Sequence, residues 1–170
     1  MLADPADQQR LLTLAELDSE IGRLQHTAKK LPQHARIAEL MKNRQAVTDD
    51  LVAVTTRVGD LELSVRRAES DLVPVRTRLD RESRRVEDGS VTDPKVLRGL
   101  MEEVERIKRR ITELEDAELD LMEQLEEATA ERDELATGKK DVEETLRAEV
   151  AVRDAEVGKL STEAKAIASS

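Results

Sequence analysis

An all-α fold, a long antiparallel coiled-coil hairpin, is predicted by three features of the 170-residue sequence taken together. Two runs carry apolar residues at alternating spacings of three and four. One short polar break, residues 87–94, separates them. Aromatic residues and cysteine are absent altogether, so Leu, Val, Ile and Ala fall into a stripe rather than the mass from which a globular core is usually built. Sustained heptads with charged flanks are the signature of paired helices.

The outgoing run passes from Ile37 through Leu40, Val47, Leu51, Val54, Val58, Leu61, Val65, Ala68, Leu72, Val75 and Leu79 to Val86, and only Arg44 and Glu82 interrupt it. The returning run goes from Leu97 through Leu100, Val104, Ile107, Ile111, Leu114, Leu121, Leu125, Ala128, Leu135 and Val142 to Leu146. Glu118, Arg132 and Lys139 are its polar members.

Ahead of both, Asp4-Pro5 reads as an N-cap followed by proline at the first helical position, where the missing N–H costs nothing. That helix has its own seam, Leu14, Leu17, Ile21, Leu24, Ala28 and Leu31, until Pro32 stops or kinks it. The returning run has a matching irregularity. Passing from Leu146 to Val150 inserts four residues into the heptad rhythm, a stutter that locally unwinds a supercoil. Folding about residues 91–92 sets Pro32 near Ala151, so both strands change phase at one level. The expected organisation is therefore a single hairpin with a proximal stalk, 8–31 with about 150–168, and a distal stalk, 35–86 with 97–147, joined by a tip turn at 87–94. Pro74, inside the outgoing helix, is expected to bend it without ending it. Arg44 and Lys139 fall in about one layer, where two cations need water or carboxylates.

At the tip, Gly89 can take positive φ and end the outgoing helix, while Asp93 caps the returning one with Pro94 at its first position. Charge is unevenly spread. Lys plus Arg against Asp plus Glu runs 10 to 12 over residues 1–75, 11 to 8 over 76–110, and 7 to 18 over 111–170. The net charge of -10 opposes nonspecific nucleic-acid binding, but the tip region is locally basic. Its cations could grip phosphates or an acidic protein surface. They could equally be flank charges, since Glu102 precedes Arg106 and Glu105 precedes Arg109 at i,i+4 spacing.

Other chemistry is scarcely represented. Lack of cysteine excludes disulfides, thiolate zinc sites and thiol nucleophiles from these residues. His26 and His34 have no metal-ligand spacing with a carboxylate, and the acidic stretch from Glu115 to Glu123 lacks the glycine turn of a calcium loop. Neither a glycine-rich phosphate loop nor a catalytic triad occurs, and two paired helices provide no deep pocket, so no enzymatic activity and no cofactor are expected. No stretch suggests a membrane span or signal peptide, which makes the cytoplasm the expected location.

The tip string from Ser83-Arg84-Arg85 through Gly89-Ser90-Val91-Thr92-Asp93-Pro94-Lys95, followed by Glu102-Glu103-Val104 and Lys108-Arg109-Arg110-Ile111, resembles the bacterial C4-type zinc-ribbon proteins with an N-terminal coiled-coil hairpin. Leu114-Glu115-Asp116 and the opening Leu11-Leu12-Thr13-Leu14-Ala15-Glu16-Leu17-Asp18 share the resemblance. It implies a nucleic-acid- or transcription-associated adaptor whose hairpin is followed by a ribbon with two Cys-x-x-Cys pairs holding zinc. These residues hold no such cysteines, so zinc is expected only if a ribbon exists in the full protein. What transfers is the tip as the place where partners bind, with Arg84, Arg85, Asp93, Pro94, Lys95, Lys108 and Arg109 as the candidate residues. The expected role is an interaction arm that presents this tip to a protein, RNA or DNA. The rivals are a structural, self-associating coiled coil and an RNA polymerase secondary-channel factor using Glu87, Asp88 and Asp93.

Overall fold

Three of the four prolines open helices. The computed structural model describes residues 4–169 and contains α1 (Pro5–Lys29), α2 (Pro32–Glu87) and α3 (Pro94–Ala168), with no strand among the described residues. Pro5, Pro32 and Pro94 each stand at a helix start, where a ring-fixed φ is preorganised and the absent N–H would have been unbonded anyway. Asp4 accepts a hydrogen bond from the Ala6 amide at 3.0 Å, completing the α1 cap. Pro74 alone lies inside a helix, and α2 continues through it.

The expected break at Pro32 is present, with its origin shifted. Helix α1 already ends at Lys29, the Lys30 amide closing on the carbonyls of His26 and Thr27, and Pro32 starts α2 rather than interrupting a helix from within. His34 spans the gap. Its Nε2 lies 3.0 Å from the Ala28 carbonyl oxygen and, when protonated there, donates a hydrogen bond across the break. On the returning side, α3 runs unbroken through the stutter, and Glu149 and Val150 are both half-buried. Four inserted residues rotate the seam, so two adjacent positions share the inward direction.

The chain divides into two compact units, Met1–Thr48 with Thr137–Ser170, and Asp49–Ala136. In the second unit, Val54 and Val58 of α2 pack with Ala128 of α3, supported by Leu61, Leu125 and Leu135. A second cluster joins Leu72 to Ile107 and Ile111, with Val75, Leu79 and Leu114 around them. All are seam positions, and burial of their apolar area at roughly 25 cal/mol per Å² is the main term holding the helices together.

The first unit is more loosely built. Ile37 and Leu40 are buried, but α1 has no buried residue. Its Ile21, Leu24 and Ala28 meet Val157, Leu160 and Ala164 of α3 around a groove of about 380 Å³. Leu14, expected in the seam, is 56% exposed, and Leu11 and Leu12 are exposed beside it. Arg44 and Lys139 are half-buried, with their charged ends free to reach water as their long stems allow.

Candidate functional site

Helix α2 ends where glycine lets it. The Asp88 amide bonds back to the Arg84 carbonyl at 2.9 Å, and Gly89 follows with φ 71°, a conformation that an L side chain disfavours. Asp88 Oδ1 accepts from the Ser90 amide at 2.8 Å. The Ser90 hydroxyl and amide hold the Asp88 carboxyl below the usual carboxylate range. Five residues after Asp88, Asp93 Oδ1 accepts from the amides of Lys95 at 2.8 Å and Val96 at 3.4 Å, capping α3. The turn is thus closed by its own acids. Asp93 and Pro94 serve as cap and first helical residue.

Around this turn most cations are already neutralised, in a different pattern from the expected one. Arg106 pairs with Glu103 at 2.5 Å and Lys108 with Glu105 at 2.9 Å, both i,i+3, in place of Glu102 with Arg106 and Glu105 with Arg109. Glu103 also receives Arg78 of α2 across the hairpin at 2.5 Å, so one carboxylate ties the two helices together. Arg76 similarly crosses to Glu115 at 2.7 Å, and Arg57 crosses to Glu131. Of the other candidates, Arg84 pairs with Asp80 at 2.8 Å and Arg85 with Glu82 at 2.7 Å.

Two carboxylates each serve two guanidinium groups. Glu103 is shared by Arg78 and Arg106, and Glu82 by Arg81 and Arg85. Glu82 is the polar seam residue expected from the sequence, and it is 6% exposed. The hydrogen bond from Arg81, reinforced by Arg85 against the cost of desolvation, holds its carboxyl below the usual range. Sharing leaves local positive charge in excess. Lys95 and Arg98, on the first turns of α3, and Arg109, further along it, have no ion-pair partner among the described residues. So Lys95 and Arg109 are the candidate cations that remain available, whereas Arg84, Arg85 and Lys108 are committed to intramolecular pairs.

A family model described as a CT398-like coiled coil hairpin domain matches residues 14–170. The chain belongs to this family. A solved structure from Mycobacterium smegmatis shares the hairpin fold with a TM-score of 0.80 at 32% identity, over 99% of this chain and 70% of that one. An uncharacterized protein of Mycobacterium tuberculosis is 38% identical over 121 residues, 71% of this chain and 49% of the relative. One from Mycobacterium leprae is 34% identical over 104 residues, 61% and 44% of the respective chains. The aligned regions span about half the length of these curated relatives. Membership in the CT398-like family establishes the hairpin part of the resemblance seen in the sequence.

Zinc, which the ribbon part would bring, does not fit the residues present. The sequence contains no cysteine, and no group of three or more His, Asp or Glu among the described residues could hold a metal ion. No helix among the described residues is long and apolar enough to cross a membrane.

Proposed function

We propose that this CT398-like hairpin is a non-enzymatic interaction arm of a cytoplasmic, transcription-associated adaptor, and that its tip binds an anionic partner, either nucleic acid or the acidic face of a protein of the transcription machinery. The observation that carries this is the uneven neutralisation at the tip: two carboxylates are each shared by two arginines, and Lys95 and Arg109 are left without an acid. Cations already paired have little to offer a phosphate, while unpaired ones release counterions on contact and so drive binding. The closed turn adds preorganisation. Asp88 and Asp93 hold the backbone at the junction, so Lys95 stands on a fixed helix start rather than on a loop.

The same bonds speak against a secondary-channel role, because Asp88 and Asp93 are occupied by backbone amides and only Glu87 of the three tip acids is uncommitted. Binding to RNA and DNA oligonucleotides followed by fluorescence anisotropy, with a pull-down of core RNA polymerase in parallel, tests the proposal. Binding that weakens steeply with salt and is lost in Lys95→Glu/Arg109→Glu at unchanged helicity is the expected result. Absence of binding in both assays, or binding indifferent to that double substitution, leaves the hairpin a structural coiled coil.

A further inference from the structure

Outside its seam, α3 carries a second stripe from Arg98 to Glu126, also stepping by three and four residues. Its apolar members are strongly exposed for a coiled coil: Met101 52%, Leu119 58% and Met122 47%. Read in reverse about Thr112, the stripe is complementary to itself. Arg98 falls level with Glu126 and Thr112 with its own copy, while Met101 and Met122, and Lys108 and Glu115, fall within one residue, about 1.5 Å, of each other. Lys108 and Glu115 also pair within the chain, with Glu105 and Arg76 respectively. One position is mixed, Glu105 against Leu119. The terminal charges of this palindrome, Arg98 and Glu126, have no ion-pair partner among the described residues.

We propose that this face of α3 is a homodimer surface, on which a second copy of the chain packs antiparallel with its two-fold axis at Thr112. A two-fold interface places the same patch of each subunit on the other, so every favourable pair is made twice. The stripe is about 42 Å long at ~1.5 Å per residue, and its exposed methionines and leucine gain by leaving water. Grooves are present at both ends to receive them. One of about 230 Å³ lies beside Met101, lined by Val86 and Val104, and one of about 710 Å³ lies beside Met122, lined by Val65 and Leu125. Because Met101 and Met122 fall nearly level, each methionine enters the groove next to its counterpart. Arg98 and Glu126 would be the pairs that fix register and orientation, as flanking charges do in coiled coils. Neither belongs to the seven tip residues, of which only Lys108 lies on this stripe.

The absence of cysteine makes the test direct, since a single introduced thiol has no competitor. In the 170-residue chain, Thr112→Cys should form a disulfide-linked dimer under mild oxidation. Met101→Cys and Met122→Cys should each stay unlinked alone and link when mixed. Sedimentation equilibrium should show mass rising toward two chains with concentration. Arg98→Glu should raise the dimer dissociation constant by about tenfold, because two pairs turn repulsive at once. Arg98→Glu/Glu126→Arg in one chain should restore it. Circular dichroism confirms that each variant keeps its helices. A single-chain mass at every concentration overturns the proposal and leaves the stripe to a helix of another protein. Self-linking of Met101→Cys indicates a parallel arrangement and overturns it equally.

Discussion

Leu72 has no exposed surface, whereas most seam residues around it keep some, because two helices enclose a side chain fully only where the facing layer is also large and branched. Ile107 and Ile111 provide that layer. Leu72→Ala should therefore lower the unfolding free energy by about 3 kcal/mol, within the range for buried leucines, as measured by chemical denaturation. The same change at the 56%-exposed Leu14 should be close to neutral. Glu82 provides a pH-dependent counterpart. Its folded-state pKa is depressed, so its stabilising contribution is present above the ordinary carboxylate range and is lost as the pH falls through that range towards the folded value. Glu82→Gln should thus melt lower than the wild type at about pH 7, and the gap should close as the pH falls to about 3. The comparison between variants matters. Protonating the excess acids relieves self-repulsion in both proteins and cancels in the difference. A gap independent of pH would mean that the two arginines act through packing alone.

At the scale of the element, the prolines separate into two kinds. Pro5, Pro32 and Pro94 open helices and cost them nothing, while Pro74 removes one hydrogen bond from the interior of α2. Pro74→Ala should restore that bond, stabilise the protein by about 1–3 kcal/mol and raise its melting temperature. The break between α1 and α2 was legible from Pro32. Its closure by His34 was not, because a side chain reaching back six residues across a gap depends on a backbone path that heptad spacing does not specify. The ion pairs at the start of α3 show the same limit. Spacing along one helix allows both i,i+3 and i,i+4 partners, and it does not show that Glu103 is shared between Arg106 and Arg78 of the other helix.

For the molecule as a whole, burial is concentrated in one of the two units. Residues 49–136 contain both apolar clusters, and α1 contains no buried residue. Hydrogen exchange follows local stability, so the amides of α1 should exchange fastest and those near Leu72, Ile107 and Ile111 slowest. Uniform protection along all three helices would show instead that the units open only together. Two-fold pairing through the Arg98–Glu126 face would add protection to the exposed side of α3.

The sequence by itself determined the helices, their seams, the caps and the tip, because each follows from local rules: a heptad repeat, an Asp-Pro start and a glycine that can take positive φ. For that reason every seam residue named in α2 and α3 is buried or half-buried. Pairs such as Arg84 with Asp80 and Lys108 with Glu105 follow local spacing along one helix, whereas the tertiary structure alone decided which charges at the tip are spent across the hairpin. Neutralisation is a contest between acids on two helices, and its outcome depends on the register and rotamers that bring Arg78 to Glu103 and Arg76 to Glu115, while leaving Lys95 and Arg109 without a partner.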